Sequence, residues 1–457
     1  MNKLTRIFTV GSVCVLLVFS SSYIQALADN PGGDWTSFTL DNNNTRYQAG
    51  STVNSSNVAS LQEAWEFPTQ YSVSSTPVVQ DGAVYFADWA GNVYSVDLDG
   101  GSLNWKVNLG APISSTLLLA NGVVYVEMGP TERMVYALSQ STGAIIWSTT
   151  VASSMPSSWT SPIIYDNLLY FGTASNGITE NNASQKGEIV ALNADTGALA
   201  WTFSTMTGKA GGSGVWGTVA VDPALNSIYF GTGNPYSRSL SASYSYSIIS
   251  LDATTGKLNW YYQVYHSLIK GHDNDFGSTP NLFSVVIKGV THEAIGLGNK
   301  NGVYYVLDRT NGELLSTYPV GTSEGGITGV AGFYYPTGNV NPEIFIPSAD
   351  NAKVHGKGIG GVVEALVPSA GASEWRFTTP GNIDGSVAVV PGAVFFGDAV
   401  GNLYGVSISS GTQLWHTTIP FGVQAGVTVA EGYVLVGNFD NNSPGPADGL
   451  GLYAYTV

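Results

Sequence analysis

A chain of 457 residues with one cysteine cannot be built on disulfides. Even that cysteine is expected to leave. Cys14 lies in a short apolar run, residues 10–19, which follows Lys3 and Arg6 and precedes the small-x-small site Ala26-Leu27-Ala28. That order predicts a secretory leader over 1–28 with maturation at Asp29, and the run is short for a retained membrane anchor. The mature chain, 29–457, then has no thiol and no Cys-x-x-Cys-His for a covalently attached haem. Charge is scarce as well, at 11% of residues. Removing Lys3 and Arg6 leaves 14 basic residues against 32 acidic ones, a net charge of −18, which argues against nucleic acid or an anionic membrane as partner. Beyond the leader, no long segment carries a helical period.

Glycine and aromatics are plentiful: 56 glycines, with Phe, Trp and Tyr together at 12%. They are ordered by a repeat. Residues 247–260, SIISLDATTGKLNW, read as a strand with one buried face, a turn closed by Gly256, and a return strand into Trp260. Copies end at Trp105, Trp147, Trp201, Ser316, Trp375 and Trp415. Gly101, Gly143, Gly197, Gly256, Gly312, Gly371 and Gly411 each stand four residues before the closing position, which is Trp in every copy but the one ending at Ser316. An eighth closing position, Trp65, precedes them all without such a turn. Closing positions lie 40 to 59 residues apart, a period that means a propeller when each unit is made of strands and turns. Length alone would suggest about three domains at roughly 150 residues each. The unbroken repeat instead predicts one all-β domain over 29–457, an eight-bladed β-propeller. The terminal strand GLYAYTV has no hairpin after it, and the strand near 61–67 has none before it. Pairing the two would close the ring and remove its exposed edges.

Function tends to reside where a repeat is interrupted. The middle blades carry the insertions SNGITENNASQK (175–186), TMTGKAGGSGVW (205–216), a Ser/Tyr-rich stretch at 236–247, and HSLIKGHDNDFGSTP (266–280). The last gathers His266, His272, Asp273 and Asp275 in a chain otherwise poor in charge.

These insertions, in their order, resemble the pyrroloquinoline-quinone (PQQ) dehydrogenases, eight-bladed propellers that oxidise alcohols, polyols or sugars. The segments carrying the resemblance are DWTSF…NTRY…LQEAW, WGTVAVDP with GTGNP, HDND, and KNGVYYVLDR. The bare LDxxTGxxxW repeat is less specific, since non-enzymatic assembly scaffolds share it. The resemblance implies PQQ and Ca²⁺ as cofactors. Trp216 would lie flat against the quinone ring as a stacking platform. Lys300 would donate to the quinone carbonyl and stabilise the charge that develops there. Asn234 and Glu180 would supply oxygen ligands to Ca²⁺, with Asp273 close to the ion. Asp273 is the candidate base that takes the hydroxyl proton, with Asp275 as the alternative; both could instead be calcium ligands or loop acids.

This chain also departs from the family pattern. It lacks the adjacent cysteine pair beside the cofactor, has His272 where a Trp is usual, and has no arginine in 112–122 to meet the cofactor carboxylates. Ser114, Ser115 and Thr116, or Thr160 and Ser161, could supply hydrogen bonds in its place. Two functions therefore follow from the sequence. One is an exported dehydrogenase, secreted or otherwise extracytoplasmic, that passes electrons to a separate acceptor. The other is a non-catalytic extracellular propeller that binds proteins or glycans. The sequons at Asn54 and Asn182 suit an extracellular surface under either reading.

Overall fold

The structure is a computed structural model. It describes residues 33–129, 133–153, 155, 159–174, 185–207, 211–236, 244–264, 274–320, 325–350, 353–354, 357–358, 360–441 and 445–457. The leader, Glu180, Asn182, His266, His272 and Asp273 lie outside these.

Eight antiparallel blade sheets follow one another along the chain, with a separate two-stranded sheet, Lys353–Val354 with Lys357–Gly358, inserted in the sixth. Blades 1 to 7 are each continuous in sequence, and all but blade 6 have four strands ordered from inside to outside. Blade 6 divides its inner edge between two short pieces, at Gly325–Gly326 and Gly332–Tyr334. Blade 8 takes three strands from the C-terminus and its outermost, Gln62–Pro68, from the N-terminus. There Trp65 pairs with Ala454 and Phe67 with Leu452, the closure that the two orphan strands predicted. No described helix is long and apolar enough to cross a membrane.

One local expectation changes. The strand Ser247–Asp252 was read as buried on one face, yet Ser247 to Leu251 are all buried. Both faces of an inner blade strand meet a neighbouring blade, so alternation in sequence does not become alternation in exposure. Only outermost strands alternate with solvent, as in Leu103–Asn108.

What joins each blade to the next is the closing tryptophan. Its indole lies over the turn glycine of the following blade. A Cβ added at Gly101, Gly143, Gly197, Gly256, Gly312 or Gly411 would come within 2.5–2.9 Å of the ring of Trp65, Trp105, Trp147, Trp201, Trp260 or Trp375 respectively. The indole N–H then donates to a carbonyl of that neighbour, as from Trp65 to Leu98 O at 2.7 Å and from Trp201 to Ala253 O at 3.1 Å. Trp415 reaches Leu61 O at 3.1 Å and so ties blade 7 to the N-terminal strand of blade 8. At the exception, Ser316, Gly371 has no atom within 4 Å of where its Cβ would be. Tyr318 compensates in part, its hydroxyl donating to Pro368 O of the next blade at 2.7 Å.

The segment 33–48 closes one end of the central channel. It bonds in turn to the inner edges of seven blades. Trp35 exchanges two hydrogen bonds with Val79. Thr36 O accepts from Leu119, Asn42 O from Val221, Asn43 O from Leu282, Thr45 O from Phe333, Arg46 O from Val389, and Gly33 O from Glu431. Arg46 is fully buried, with its guanidinium 5.0 Å from the Trp35 ring and 5.4 Å from the Phe38 ring. It donates to the carbonyls of Phe38, Val387 and Val427 and so pins the inner strands of blades 7 and 8 together. Burial lowers its pKa to about 9, which still leaves it charged at neutral pH.

Gly256 and Gly371 share a φ of 67° and differ in whether an indole covers them. Gly371→Ala should cost about 1–2 kcal/mol, the left-handed penalty alone. Gly256→Ala should cost about 1–3 kcal/mol more, because the methyl group meets Trp201. Denaturant unfolding of the two variants measures the difference, and equal losses would dismiss the indole contact as a stabilising joint.

Candidate active site

The end of the channel away from the plug opens into a cavity of about 440 Å³, a size suited to a small organic ligand. Six of the cavity-lining residues form a belt of hydroxyls, one from each of six blades. Thr76 N–H donates to Thr116 Oγ1 at 2.9 Å, Thr116 to Ser161 Oγ at 3.0 Å, Ser161 to Thr218 Oγ1 at 3.1 Å, and Thr218 to Thr279 Oγ1 at 3.1 Å. Val330 N–H donates to Ser386 Oγ at 3.0 Å, and Gly426 N–H to Thr76 Oγ1 at 2.9 Å. Each hydroxyl satisfies an inner-strand N–H of an adjacent blade that would otherwise lie buried and unpaired. At Gly426 a side chain is excluded: its Cβ would stand 2.8 Å from Arg46 Nη2 and 2.7 Å from Thr76 Oγ1.

Among the residues expected to act, the structure brings together Trp216, Lys300, Asp275 and Asn234 around this cavity. Trp216 packs so closely on Gly277 that a Cβ there would fall 1.7 Å from Cη2, which makes Gly277 obligatory for the ring's position. Lys300 Nζ sits 4.7 Å from the Trp216 ring centroid and 3.9 Å from Asp275 Oδ2. That is an ion pair and a cation–π contact at one ammonium. The Lys300 backbone is fixed by its N–H, which donates to Asp275 O at 2.9 Å, and by Gly326 of blade 6, whose Cβ would lie 2.1 Å from Lys300 Cα. Asn299 Nδ2 donates to Asn274 O at 2.7 Å and holds the same loop from below. Asp275 is buried, its carboxylate pressed against Gly233, the residue before Asn234.

The remaining expectations divide. Ser114, Thr116 and Ser161 line the cavity. Thr160 points elsewhere, since its hydroxyl donates to Glu127 Oε2 at 2.7 Å and accepts from Gly172 N–H. Ser115 donates to Glu127 O. Glu180 and Asp273 fall outside the described residues. Among the described residues, no three His, Cys, Asp or Glu side chains gather as a metal site.

The sequence did not single out Asp384, which lines the cavity on the blade 7 side. Burial raises its pKa, against the opposing pull of the Lys300 charge and a hydrogen bond from Thr328. Of the hydroxyl belt the sequence had offered Thr116 and Ser161 but not Thr76, Thr218, Thr279 or Ser386, although all six stand at one place before each inner strand: SSTPVV, SSTLLL, WTSPII, WGTVAV, GSTPNL and DGSVAV.

An eight-bladed ring with a carboxylate, an ammonium and an indole converging in its channel defines the class of the PQQ-repeat propellers. Comparison with known proteins makes this specific. Residues 35–113 and 149–322, more than half of the chain, match the family described as "Glucose/ethanol/alcohol dehydrogenase, beta-propeller domain", and the chain belongs to that PQQ family. Residues 360–455 match the family described as "Outer membrane protein assembly factor BamB". Quinohemoprotein alcohol dehydrogenase ADH IIB of Pseudomonas putida is 31% identical over 341 residues, 64% of this chain and 48% of that one. The quinohemoprotein alcohol dehydrogenase of Comamonas testosteroni is 28% identical, over 62% of this chain and 46% of that one. The chain thus spans about half the length of these relatives. The solved structure of the Comamonas testosteroni enzyme superposes with a TM-score of 0.78 at 21% identity, covering 96% of this chain and 82% of that one. A europium-containing methanol dehydrogenase gives a TM-score of 0.78 at 19% identity, covering 96% of this chain and all of that one. At such identities both likenesses speak to the fold.

Asp384 sets a sign for stability against pH. A carboxyl whose folded pKa lies above its unfolded one is held most favourably while protonated, and this contribution is lost as pH rises through the folded value. Asp384→Asn should therefore unfold at a higher temperature than wild type at neutral pH, and the gap should close toward pH 3. Thermal scans across that range check it; a gap that widens in acid would reverse the assignment.

Proposed function

We propose that the protein is an exported quinoprotein oxidoreductase that oxidises an alcohol, polyol or sugar with PQQ and Ca²⁺ and passes the electrons to a separate acceptor. The observation that carries this is the Lys300 ammonium held between the Trp216 ring and Asp275 in one cavity. The residues present fit a flat, anionic, oxygen-rich cofactor: an indole to stack on, an ammonium to meet carbonyl oxygen, and a belt of hydroxyls beneath. Asn234 would offer a neutral oxygen to the metal. Glu180 and Asp273 are proposed as the further ligands or acids.

The reaction removes a hydride and a proton from a carbinol to leave a carbonyl. The quinone, when bound, supplies the hydride acceptor. Asp275 takes the hydroxyl proton on its carboxylate as the C–H bond breaks, so that the forming carbonyl carries no excess charge. Lys300, 3.9 Å from that carboxylate, offers a donor where negative charge develops. Trp216, immobilised by Gly277, sets the plane in which the reactants lie. The plug at 33–48 seals the channel from behind, so that reactants come and go by one mouth.

The match of residues 360–455 to the assembly-factor family supports a second reading, a propeller that binds a protein partner without turnover. A titration of the purified protein separates the two. PQQ and Ca²⁺, added together and singly, are followed by quinone absorbance and thermal stability, then by reduction of a dye with a panel of alcohols. Calcium-dependent binding should weaken at least about tenfold in Lys300→Ala, the size expected for loss of a charge-assisted contact. In Asp275→Asn, binding should persist while dye reduction falls about 100-fold or more. No binding by the wild-type protein would remove the dehydrogenase reading and leave the scaffold.

A further inference from the structure

Trp159 has its backbone in the left-handed region, at φ 69°, one of three aromatics among the described residues to do so, with Tyr246 at 52° and Phe421 at 64°. Aromatic side chains rarely adopt that conformation, and such strain persists where function selects it. The residue is also 41% exposed and lines the cavity, a placement that costs apolar hydration and gains no core. Its indole leans on Trp89 with centroids 5.9 Å apart, and Trp89 in turn meets Phe439 at 5.3 Å. Trp89 is fixed by its N–H, which donates to Ser74 Oγ at 2.8 Å. Three rings from the start of blade 3 and from blades 1 and 8 thus make a continuous apolar wall. Lys300 and Asp275 stand across the ring, by blades 5 and 6. Polar groups border the wall. Gln424 at the cavity is held by Asn441, and the Ser114 hydroxyl lines the cavity with no hydrogen-bond partner among the described residues.

We propose that Trp159, backed by Trp89 and Phe439, is a stacking face that selects alcohols carried on a six-membered ring over linear ones. This rests on the dehydrogenase reading and gives its substrate class. An indole face buries either an aromatic ring or the C–H face of a saturated sugar, while the wall's width gives a flexible chain no comparable contact. The Ser114 hydroxyl and the Gln424 amide suit the ring's oxygen substituents. Oxidation at a carbinol attached to the ring then needs only the distance across the channel to Asp275.

Trp159→Gly removes the indole and suits the positive φ, so the variant should fold with a melting temperature equal to or above that of wild type. The ratio of kcat/KM for benzyl alcohol to that for 1-hexanol should fall about tenfold, the worth of one good ring stack. Trp159→Phe should restore most of it. Methyl glucopyranoside, run beside benzyl alcohol, tells whether sugar or aromatic rings are preferred. An unchanged ratio in the glycine variant overturns the proposal. If the wild-type protein oxidises no alcohol, the dehydrogenase reading falls separately, and quenching of tryptophan fluorescence by the same two ring compounds decides the stacking face. Quenching in wild type that is lost in Trp159→Gly upholds it. Equal quenching in both, or none in either, overturns it.

Discussion

The contact of a tryptophan on one blade with a glycine on the next is what the ring is made of. Each blade alone has two apolar faces and an unpaired outer edge, and neither becomes stable without a neighbour. The indole supplies both kinds of interaction across the joint, a large apolar surface and one aimed hydrogen bond. It can approach only because the turn has no Cβ at that point. The glycine thus answers to two demands at once, the positive φ of its own turn and the ring of the blade before it.

With outer joints so uniform, the inner edges are free to vary, and the cavity lies there. The hydroxyl belt takes over the pairing of inner-strand N–H groups, which lets those strands end around an open channel without leaving buried polar groups unsatisfied. The plug then uses the same strands from the other side. Arg46 completes the arrangement at blade 8, where Gly426 yields its side-chain space to a guanidinium. A buried cation is tolerable here because three carbonyls accept its donors and two aromatic rings flank it.

The fold was legible in the sequence because its signals repeat: the Gly-x-x-x-Trp spacing recurs, and the two orphan strands call for each other. The site was legible in part. Trp216, Lys300 and Asn234 stand outside the repeat register and could be picked out by resemblance. Asp275 ranked behind Asp273 in the sequence because the spacing of two acids on one loop does not tell which faces inward; among the described residues it is Asp275 that meets Lys300. Asp384, Trp159 and four of the six belt hydroxyls were passed over because Asp, Trp, Ser and Thr before a short strand look like ordinary turn residues. Only the ring brings them to one place. The plug at 33–48 is not legible for a related reason, since a segment that bonds to seven different blades shows no periodicity of its own.

The joint between blades 5 and 6 is built differently from those of the other tryptophan-closed blades. Ser316 offers no indole, Gly371 faces open space, and a tyrosine hydroxyl is what crosses the seam. A closed ring of equal links has no preferred place to part, whereas unequal links give it a zipper end. That end adjoins the cavity, for Gly326 on the far side of the seam is the backbone that abuts Lys300. The joint without an indole and the backbone that places the central cation therefore lie side by side.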